Sequence, residues 1–303
     1  MKNQDYITKF ESYLLTERRV AKNTFDAYTK DLEKLIAYLK KEKLSLKKVT
    51  TQNLKDYLKI LKKENLSARS MARKISCCKT FFLYLHEYHD LDNPAEDLIL
   101  PKLDRKLPEY LTEKEIEILF KKADEEKTET GIRNKVMLYL LYVTGMRISE
   151  LINLTLSHLD LSEGFVRVPG KGGKERMVPL PEHMIGILND YLNVLYPKLL
   201  IKNNQRLTTD FLFPTYYAQQ LKPMTRQSFW IYLKDLTGQA GIKKDLSPHK
   251  LRHSLATHLL KNGANLRTLQ LLLGHENLDT VQIYTHVETS HLRKIYDDKH
   301  PRS

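Results

Sequence analysis

LSPHKLRHSLATHLLKNGANLRTLQLLLGHENLDTVQIYTHV, residues 246–287, holds the side chains with the most distinctive chemistry in the chain. Within this run lie His249, Arg252, His275 and Tyr284. Two imidazoles, a guanidinium and a phenol suit an anionic phosphate better than a metal ion or an acyl group. We therefore predict that this stretch forms the centre of a phosphate-binding site.

The beginning of the stretch has the signals of an amphipathic helix. Ser247 is a favourable N-cap residue, and Pro248 suits the first helical position. From there a helix is predicted to about Leu260, with an apolar stripe at Leu251, Leu255 and Leu259. His249 and Arg252 stand three residues apart on a side that the stripe does not cover, so both are expected to point at one ligand.

Two shorter segments follow this helix. A helix from about Asn265 to Leu273 is predicted to stop at Gly274, a common C′ residue, and to deliver His275 just beyond its end. A third short segment, capped near Asp279 or Thr280, carries Tyr284. These brief turns are expected to bring all four side chains together.

The composition adds an electrostatic argument. The chain has 303 residues, which favours two domains, and a formal net charge of +13 with a pI near 9.4. Residues 1–104 contribute +6 of this charge, with 21 Lys and Arg against 15 Asp and Glu, so the excess is spread over both halves. This balance favours nucleic acid as partner over a membrane surface, although a solvated lysine-rich surface is the plain alternative.

The cysteine content and the amino terminus bear on the compartment. Cys77 and Cys78 are adjacent, and a bridge between sequence neighbours is strained, so we interpret them as buried thiols in a reducing compartment. The amino terminus, MKNQDYITKF, has no apolar core of a signal peptide, and no segment approaches the length of a membrane span. We expect a cytoplasmic protein.

Residues 1–100 are predicted to form an all-helical domain. Apolar residues recur at helical spacing in four segments, which are 5–16, a helix capped by Asn23-Thr24, 51–62 and a helix opened by Ser67. The fourth helix interleaves Arg69, Arg73, Lys74 and Lys79. We predict that these four residues face DNA, against the alternative of a solvated helix face. A proline-bounded basic linker, residues 101–109, then leads to a second domain, residues 110–303.

The second domain begins with clear helix signals. Thr112 and Glu115 form a capping box, and a strongly apolar helix from about Gly131 to Val143 is predicted to end at Gly145. Arg147 follows, between this glycine and the next helix start, where its side chain can reach a phosphate. Pairing with nearby Glu150 is the structural alternative.

Residues 165–180 carry the clearest β signal. Val166 and Val168 alternate with Arg167, Gly170 to Gly173 turn the chain, and Met177 and Val178 lead the return strand. Lys171 lies in the turn and can extend into a neighbouring groove. The run GKGGKER lacks the spacing of a phosphate-binding P-loop. Further on, the predicted elements are a helix over 181–195, a polar loop over 200–209 and a helix capped by Thr225.

Together these residues suit phosphoryl transfer without a metal or other cofactor. A tyrosine hydroxyl needs a neighbour to accept its proton, and an anionic phosphodiester needs rigid cationic donors on its oxygens. The leaving oxygen needs a proton from a lysine or a histidine. A zinc site at His249 and His253 is disfavoured, because the glutamate of H-E-x-x-H is missing and Arg252 lies between them.

The series TGMRISEL, VPGKGGKERMVPL, LSPHKLRHSLATHLL, LLLGH and TVQIYTHV resembles the tyrosine recombinase, or phage integrase, family in order and in spacing. The resemblance covers the whole chain and is greatest for Xer-type members, for the XerD-like branch more than the XerC-like one. The family usually has a strand residue where this chain has Pro169.

The resemblance implies a role for each motif residue. Tyr284 would be the nucleophile that forms a 3′-phosphotyrosyl bond. Arg147 and Arg252 would clamp the scissile phosphate, and Lys171 would protonate the leaving 5′-oxygen. His249 would assist proton transfer at Tyr284, and His275 would hydrogen-bond the phosphate.

The resemblance also implies architecture and partners. The fold would be mainly α with a small antiparallel β-sheet in the catalytic domain, and a core-binding (SAM-like) domain and a catalytic domain would clamp double-stranded DNA. Homo- or hetero-tetramers would recombine two dif-like sites through a Holliday junction, with a tail helix near residues 290–298 docked on a neighbour and an FtsK-like translocase as activator.

Three other functions share parts of this pattern. A mobile-element integrase would use the same chemistry, and a type IB topoisomerase would relax supercoils with a similar residue set. A non-enzymatic DNA-binding regulator would keep the fold alone. We favour resolution of chromosome dimers over all three.

Overall fold

A computed structural model of the protein describes residues 3–64, 66–102, 109–170, 175–202 and 204–274. The chain divides into two units, Met1–Lys106 and Leu107–Ser303. Helices dominate both units, and the strands described form small antiparallel sheets in the second unit. The predicted fold class, mainly α with a small antiparallel β-sheet in the second domain, is confirmed.

The α-helices described in the first unit are α1 (Asn3–Thr16), α2 (Lys22–Lys41), α3 (Thr51–Lys63) and α4 (Ala68–His89), with a short 3-10 helix at Leu46–Lys48 between α2 and α3. Local caps fix where two of them begin, because Thr50 and Asn53 form a capping box and the Ser67 hydroxyl accepts from the Ser70 N–H. The predicted start of the second helix at Asn23-Thr24 was wrong, since α2 already begins after Ala21. The other three helices begin within two residues of the positions predicted for them.

The core of the first unit is aromatic. Phe10 packs edge-on against Phe81 at a centroid distance of 5.1 Å, and both rings are fully buried. Cys77 and Cys78 lie in the same core as free thiols, as predicted. Burial raises the pKa of Cys78 to about 12, so this thiol stays protonated and unreactive at neutral pH.

Eight helices are described in the second unit: α5 (Glu113–Asp124), α6 (Glu129–Thr144), α7 (Ile148–Ile152), α8 (Glu182–Asp190), α9 (Tyr196–Leu199), α10 (Arg226–Gln239), α11 (Pro248–Lys261) and α12 (Leu266–Leu273). The predicted Thr112–Glu115 capping box starts α5. Helix α6 is mostly buried, and its residues 136–143 are apolar on all sides, so it forms the centre of the second core. In the described part of the chain, no helix is both long and apolar enough to cross a bilayer.

The predicted hairpin is present. Strands β1 (Leu159–Asp160), β2 (Phe165–Pro169) and β3 (Glu175–Pro179) form an antiparallel sheet in that order, with Val166 opposite Val178. Val166, Val168 and Val178 are fully buried, whereas Arg167 is exposed, so the valine face of the sheet covers the core. Lys171, in the predicted turn, lies outside the described residues.

The predicted helix over 181–195 is present from Glu182, but only its first part is a regular α-helix. Helix α8 passes into a π-helical turn at Tyr191–Leu195 before α9. Tyr191 donates to the Leu212 carbonyl at 2.8 Å, and Tyr196 donates to the Phe211 carbonyl at 3.0 Å. The wider π-helical turn accompanies these two contacts with residues 211–212. We infer that tertiary hydrogen bonds favour this turn over a regular α-helical one.

Two further hairpins were not predicted. Strands β4 (Ile201–Lys202) and β5 (Gln205–Arg206) pair inside the predicted polar loop over 200–209, and β6 (Pro214–Tyr217) pairs with β7 (Gln220–Pro223). The tight turn of the second hairpin places Ala218 and Gln219 at φ values of 49° and 61°. Turns of this kind usually carry Asn or Gly, so the sequence lacked the expected signal.

The first described residues of the second unit are attached to α11. The Leu111 N–H donates to the Ser254 hydroxyl at 2.9 Å, and Lys250 pairs with Glu109 at 3.0 Å. The Lys261 ammonium donates to the Tyr110 hydroxyl at 2.8 Å and lies 4.9 Å from the centre of its ring. We call residues 109–111 the entry segment.

Candidate active site

The site begins where α6 ends. Gly145 takes the left-handed conformation at φ 58°, and its N–H donates to the Leu141 carbonyl at 2.9 Å. A Cβ at this position would lie 2.6 Å from Leu273 Cδ2 and 2.8 Å from Leu255 Cδ2. Glycine therefore ends α6, as predicted, and also lets α11 and α12 approach the turn.

Arg147 follows this turn and is the N-cap residue of α7. Its guanidinium donates to Glu150 Oε1 at 2.9 Å and to the Gly274 carbonyl at 3.3 Å, and its N–H donates to Glu150 Oε2 at 2.7 Å. The pairing with Glu150 that the sequence suggested as an alternative is present. The side chain is still 47% exposed, so Arg147 remains accessible to a ligand.

Arg252 and His249 lie on α11, in different environments. The helix begins at Ser247 and Pro248, as predicted. His249 in its first turn is exposed, whereas Arg252 is buried and donates to the Gly145 carbonyl at 2.5 Å and the Leu273 carbonyl at 2.6 Å. Two backbone oxygens thus hold the Arg252 guanidinium in place, and the prediction that His249 and Arg252 point at one ligand stays a prediction.

The pKa of Arg252 is affected by its burial and by the charged side chains around it. Burial and, after it, the positive charges of Arg147 and Arg176 lower the pKa of Arg252 to about 10, with the charge of Glu150 acting in the opposite direction. The guanidinium therefore stays charged at neutral pH despite its surroundings. Three guanidiniums around one carboxylate leave a net charge of +2, which favours an anionic ligand.

Arg176 is a site residue that the sequence analysis missed. It lies on β3 with only 7% of its surface exposed, and it donates to Glu150 Oε2 at 2.8 Å, to Glu150 Oε1 at 3.3 Å and to the Leu272 carbonyl at 3.1 Å. The alternation of inward- and outward-facing residues along β3 could have revealed Arg176 from the sequence. Arg176 shares the inward face with Val178, and an arginine at such a position needs a buried partner.

Glu150 is therefore the acceptor at the centre of the cluster. Burial alone would raise the pKa of its carboxyl, but the hydrogen bonds and charge of Arg176 and the hydrogen bonds of Arg147 together outweigh burial. The net effect is a lowered pKa, so Glu150 is ionised at neutral pH.

The three arginines also meet the end of α12. The carbonyls of Leu272, Leu273 and Gly274 accept from Arg176, Arg252 and Arg147, respectively. The last carbonyls of a helix have no partner within it, and they form the negative end of its dipole. Cationic donors thus satisfy these groups, and the helix end in turn fixes where the arginines lie.

A groove of about 550 Å³ adjoins the cluster. Its lining residues are Ile148, Thr225, Arg226, Gln227, Trp230 and Pro248. Two of them directly neighbour site residues, since Ile148 follows Arg147 and Pro248 precedes His249. An anionic ligand on Arg147 therefore has space beside it, bordered by one further arginine.

Lys171, His275 and Tyr284 lie outside the described residues, as does the predicted tail helix near residues 290–298. In the part of the chain that is described, no three His, Cys, Asp or Glu side chains cluster as metal ligands would.

The predicted DNA-facing residues of α4 have different environments. Arg69 is exposed, and Lys79 is half-buried and donates to the Glu96 carbonyl at 2.8 Å. Arg73 contacts Asp31 and keeps 41% of its side chain exposed. Lys74 is only 4% exposed and pairs with Asp31, so its ammonium belongs to the interior of the first unit rather than to its surface.

Comparison with known proteins identifies the class. The Phage integrase family model matches residues 109–291, and the model for the phage integrase N-terminal SAM-like domain matches residues 7–88. The chain belongs to the phage integrase family.

Within that family it is a XerD-like tyrosine recombinase, a site-specific DNA recombination enzyme. It is 40% identical over 303 residues to tyrosine recombinase XerD of Vibrio cholerae, covering 99% of this chain and 98% of the relative. It is 41% identical over 299 residues to XerD of Staphylococcus aureus, covering 98% and 99%.

Solved structures agree on the fold. The XerH site-specific recombinase bound to difH substrate, a pre-cleavage complex, is 25% identical with a TM-score of 0.67. The match covers 95% of this chain and 83% of that one. A lambda integrase dimer bound to a core site is 18% identical with a TM-score of 0.67 and covers 94% of this chain and all of the other.

Proposed function

We propose that this recombinase cuts and rejoins double-stranded DNA at a dif-like site through a 3′-phosphotyrosyl intermediate formed by Tyr284. The observation that carries the proposal is the arginine cluster, in which exposed Arg147 lies beside buried, still charged Arg252. A phosphodiester is anionic, and attack on it builds further charge on its non-bridging oxygens. Preorganised cations are the groups that stabilise such a transition state.

Arg147 and Arg252 are proposed to bind the scissile phosphate. Contacts with Glu150, Gly145 and the end of α12 already orient both guanidiniums, which supports this role. Little reorganisation is then needed when the substrate arrives, and this is the condition under which electrostatic catalysis is strongest.

The other roles complete a balanced transfer. The Tyr284 oxygen attacks phosphorus, the bond from phosphorus to the 5′-oxygen breaks, and Lys171 supplies the proton that the leaving 5′-hydroxyl needs. His249 assists removal and return of the Tyr284 proton, and its exposure at the start of α11 is compatible with that task. His275 donates a hydrogen bond to the phosphate. The phosphotyrosyl bond conserves the energy of the broken bond, so rejoining needs no ATP.

We assign residues 1–100 to a core-binding domain and residues 110–303 to a catalytic domain with a tail helix. Exposed Arg69 and partly exposed Arg73 and Lys79 are the candidates for DNA contacts on α4. The pairing of XerH with a difH substrate supports a dif-like site, and hence a role in resolving chromosome dimers at cell division. A tetramer on DNA and activation by an FtsK-like translocase complete the proposal.

Covalent trapping tests this chemistry. The protein is incubated in EDTA with a nicked suicide duplex carrying a dif-type site, with and without a partner recombinase. We expect an adduct that resists SDS, maps to Tyr284 by mass spectrometry and is absent from Tyr284→Phe. Tight, specific binding by the wild type without an adduct under any condition, or an adduct on another residue, would overturn the assignment.

A further inference from the structure

We propose that Arg176 is a positioning residue of the recombinase: it fixes Glu150 and the end of α12, and through them it orients the phosphate-binding guanidinium of Arg147. This inference rests on the proposed function, because it concerns the same site. It adds a residue whose contribution to catalysis runs through other side chains.

Arg176 and Arg147 differ in how far their side chains are exposed to solvent, and this difference separates their roles. The Arg176 side chain is 8% exposed and the Glu150 side chain 9%, whereas the Arg147 side chain is 47% exposed. All three guanidinium nitrogens of Arg176 donate to protein acceptors. These contacts use three of the five N–H groups of Arg176, and burial keeps the whole side chain away from a ligand at the surface, whereas Arg147 is accessible to one.

Arg176 joins three elements of the second unit. It lies on β3, two of its nitrogens hold both carboxylate oxygens of Glu150 on α7, and its third holds the Leu272 carbonyl at the end of α12. This two-point contact fixes the plane of the carboxylate. Since the same two oxygens accept from the Arg147 guanidinium and N–H, the plane of Glu150 sets the direction of Arg147.

The backbone nearby leaves room for this arrangement. Gly274 has φ 65°, and a Cβ there would lie 3.2 Å from Arg176 Cδ and from one of its terminal nitrogens. A side chain at this position would press on the arginine. The glycine that ends α12 thus also allows the helix end to lie directly against Arg176.

The charge of Arg176 matters as well as its geometry. Glu150 carries a negative charge next to the place where a phosphate would bind Arg147. Arg176 neutralises that charge from the buried side, which leaves Arg147 free to serve an anionic substrate. Without Arg176, the carboxylate would hold Arg147 alone and oppose the incoming phosphate, so strand cleavage should suffer more than DNA binding.

The test compares Arg176→Gln with Arg176→Lys. Single-turnover cleavage of the suicide duplex and the dissociation constant for the same DNA are measured separately. We expect Arg176→Gln to slow cleavage by about 10- to 100-fold, because a small misplacement of a catalytic group can cost about 100-fold in rate, with affinity changed by less than about threefold. Lysine keeps the charge and should recover part of the rate.

Arg167→Gln is the matched control. It removes an exposed arginine from the neighbouring strand, where the side chain donates to the Ser157 carbonyl at 2.7 Å. We expect it to leave the cleavage rate within about twofold of wild type. Thermal unfolding of every variant is followed by circular dichroism, so that rates are compared only where the protein is folded.

A double variant separates positioning from simple packing. If Arg176 acts through Glu150, Glu150→Gln combined with Arg176→Gln should cleave no more slowly than Arg176→Gln alone. Additive losses, or equal losses in affinity and rate, would overturn the role, as would normal cleavage by folded Arg176→Gln. Failure of the wild type to form an adduct would instead count against the proposed function itself.

Discussion

The ammonium nitrogen of Lys74 lies 2.6 Å from a carboxylate oxygen of Asp31, and both side chains are only 5% exposed. Arg73 contacts the other oxygen of the same carboxylate. One buried acid thus holds two of the four cations on α4 that the sequence suggested for DNA. The burial of Lys74 distinguishes it from exposed Arg69, five residues earlier on the same helix.

This difference predicts opposite phenotypes for two single variants. Lys74→Met should lower the free energy of unfolding by about 2 to 4 kcal/mol in urea titrations, because it leaves a buried charge pair incomplete. Arg69→Ala should leave stability within about 0.5 kcal/mol, but weaken DNA binding and reduce the slope of log affinity against log salt by about one. A reduced salt slope for Lys74→Met with unchanged stability would contradict this distinction.

The turn after α6 should not tolerate a side chain. Gly145→Ala combines a left-handed backbone with contacts to Leu255 and Leu273 well inside van der Waals distance, so we expect the free energy of unfolding to fall by about 2 to 4 kcal/mol. The control is Gly238→Ala on α10, where a Cβ meets no atom within 4 Å. There, chemical denaturation should show no loss, or a gain of about 0.5 to 1 kcal/mol. Equal effects at both positions would refute the packing argument.

The lowered pKa of Glu150 predicts a defined pH dependence. Its contribution to stability is fully present above the ordinary glutamate pKa of about 4.3 and is lost as pH falls through the lower pKa of the folded state. The stability difference between wild type and Glu150→Gln should therefore shrink as pH falls below about 4.3. Urea titrations from pH 3 to pH 7 measure it, with exposed Glu175→Gln as control. A difference that is constant with pH would argue against ionised Glu150 as the centre of the cluster.

The lowered pKa of His258 predicts a second pH dependence of stability, at higher pH than that of Glu150. Its ring lies on α11, where Nδ1 is 2.8 Å from the Tyr142 hydroxyl, and burial lowers its pKa. Because the unfolded chain then binds the proton more readily, stability should fall as pH drops from about 6.5 towards the folded-state pKa. His258→Gln removes the titrating group and should flatten the stability curve between pH 7 and pH 5. His253→Gln, earlier on the same helix, is the control. An unchanged slope in His258→Gln would disprove the assignment.

Local signals made much of the fold predictable. Thr112 with Glu115, Ser247 with Pro248 and Gly145 fix helix ends through contacts within a few residues, and a sequence displays such contacts directly. The valine alternation of β2 and β3 is local in the same sense. These elements position Arg147, His249 and Arg252, which is why these three residues could be selected from the sequence.

Long-range pairing accounts for what was missed. Arg176 meets Glu150 and Leu272, and Lys74 meets Asp31, across separations at which a sequence shows no pairing pattern. The burial of Lys74 and its pairing with Asp31 therefore became visible only in the structure. The hairpin at Ala218 and Gln219 was missed for another reason, since its turn uses residues that do not normally mark one.

The entry segment, residues 109–111, has a consequence for protein engineering. Its contacts with Ser254, Lys250 and Lys261 anchor it to α11, the helix that carries His249 and Arg252. A hybrid that grafts a foreign targeting module onto this catalytic unit should therefore keep native sequence from Glu109 onward. A junction two or three residues later would remove the anchor of the helix on which the chemistry depends, even though no proposed catalytic residue had been exchanged.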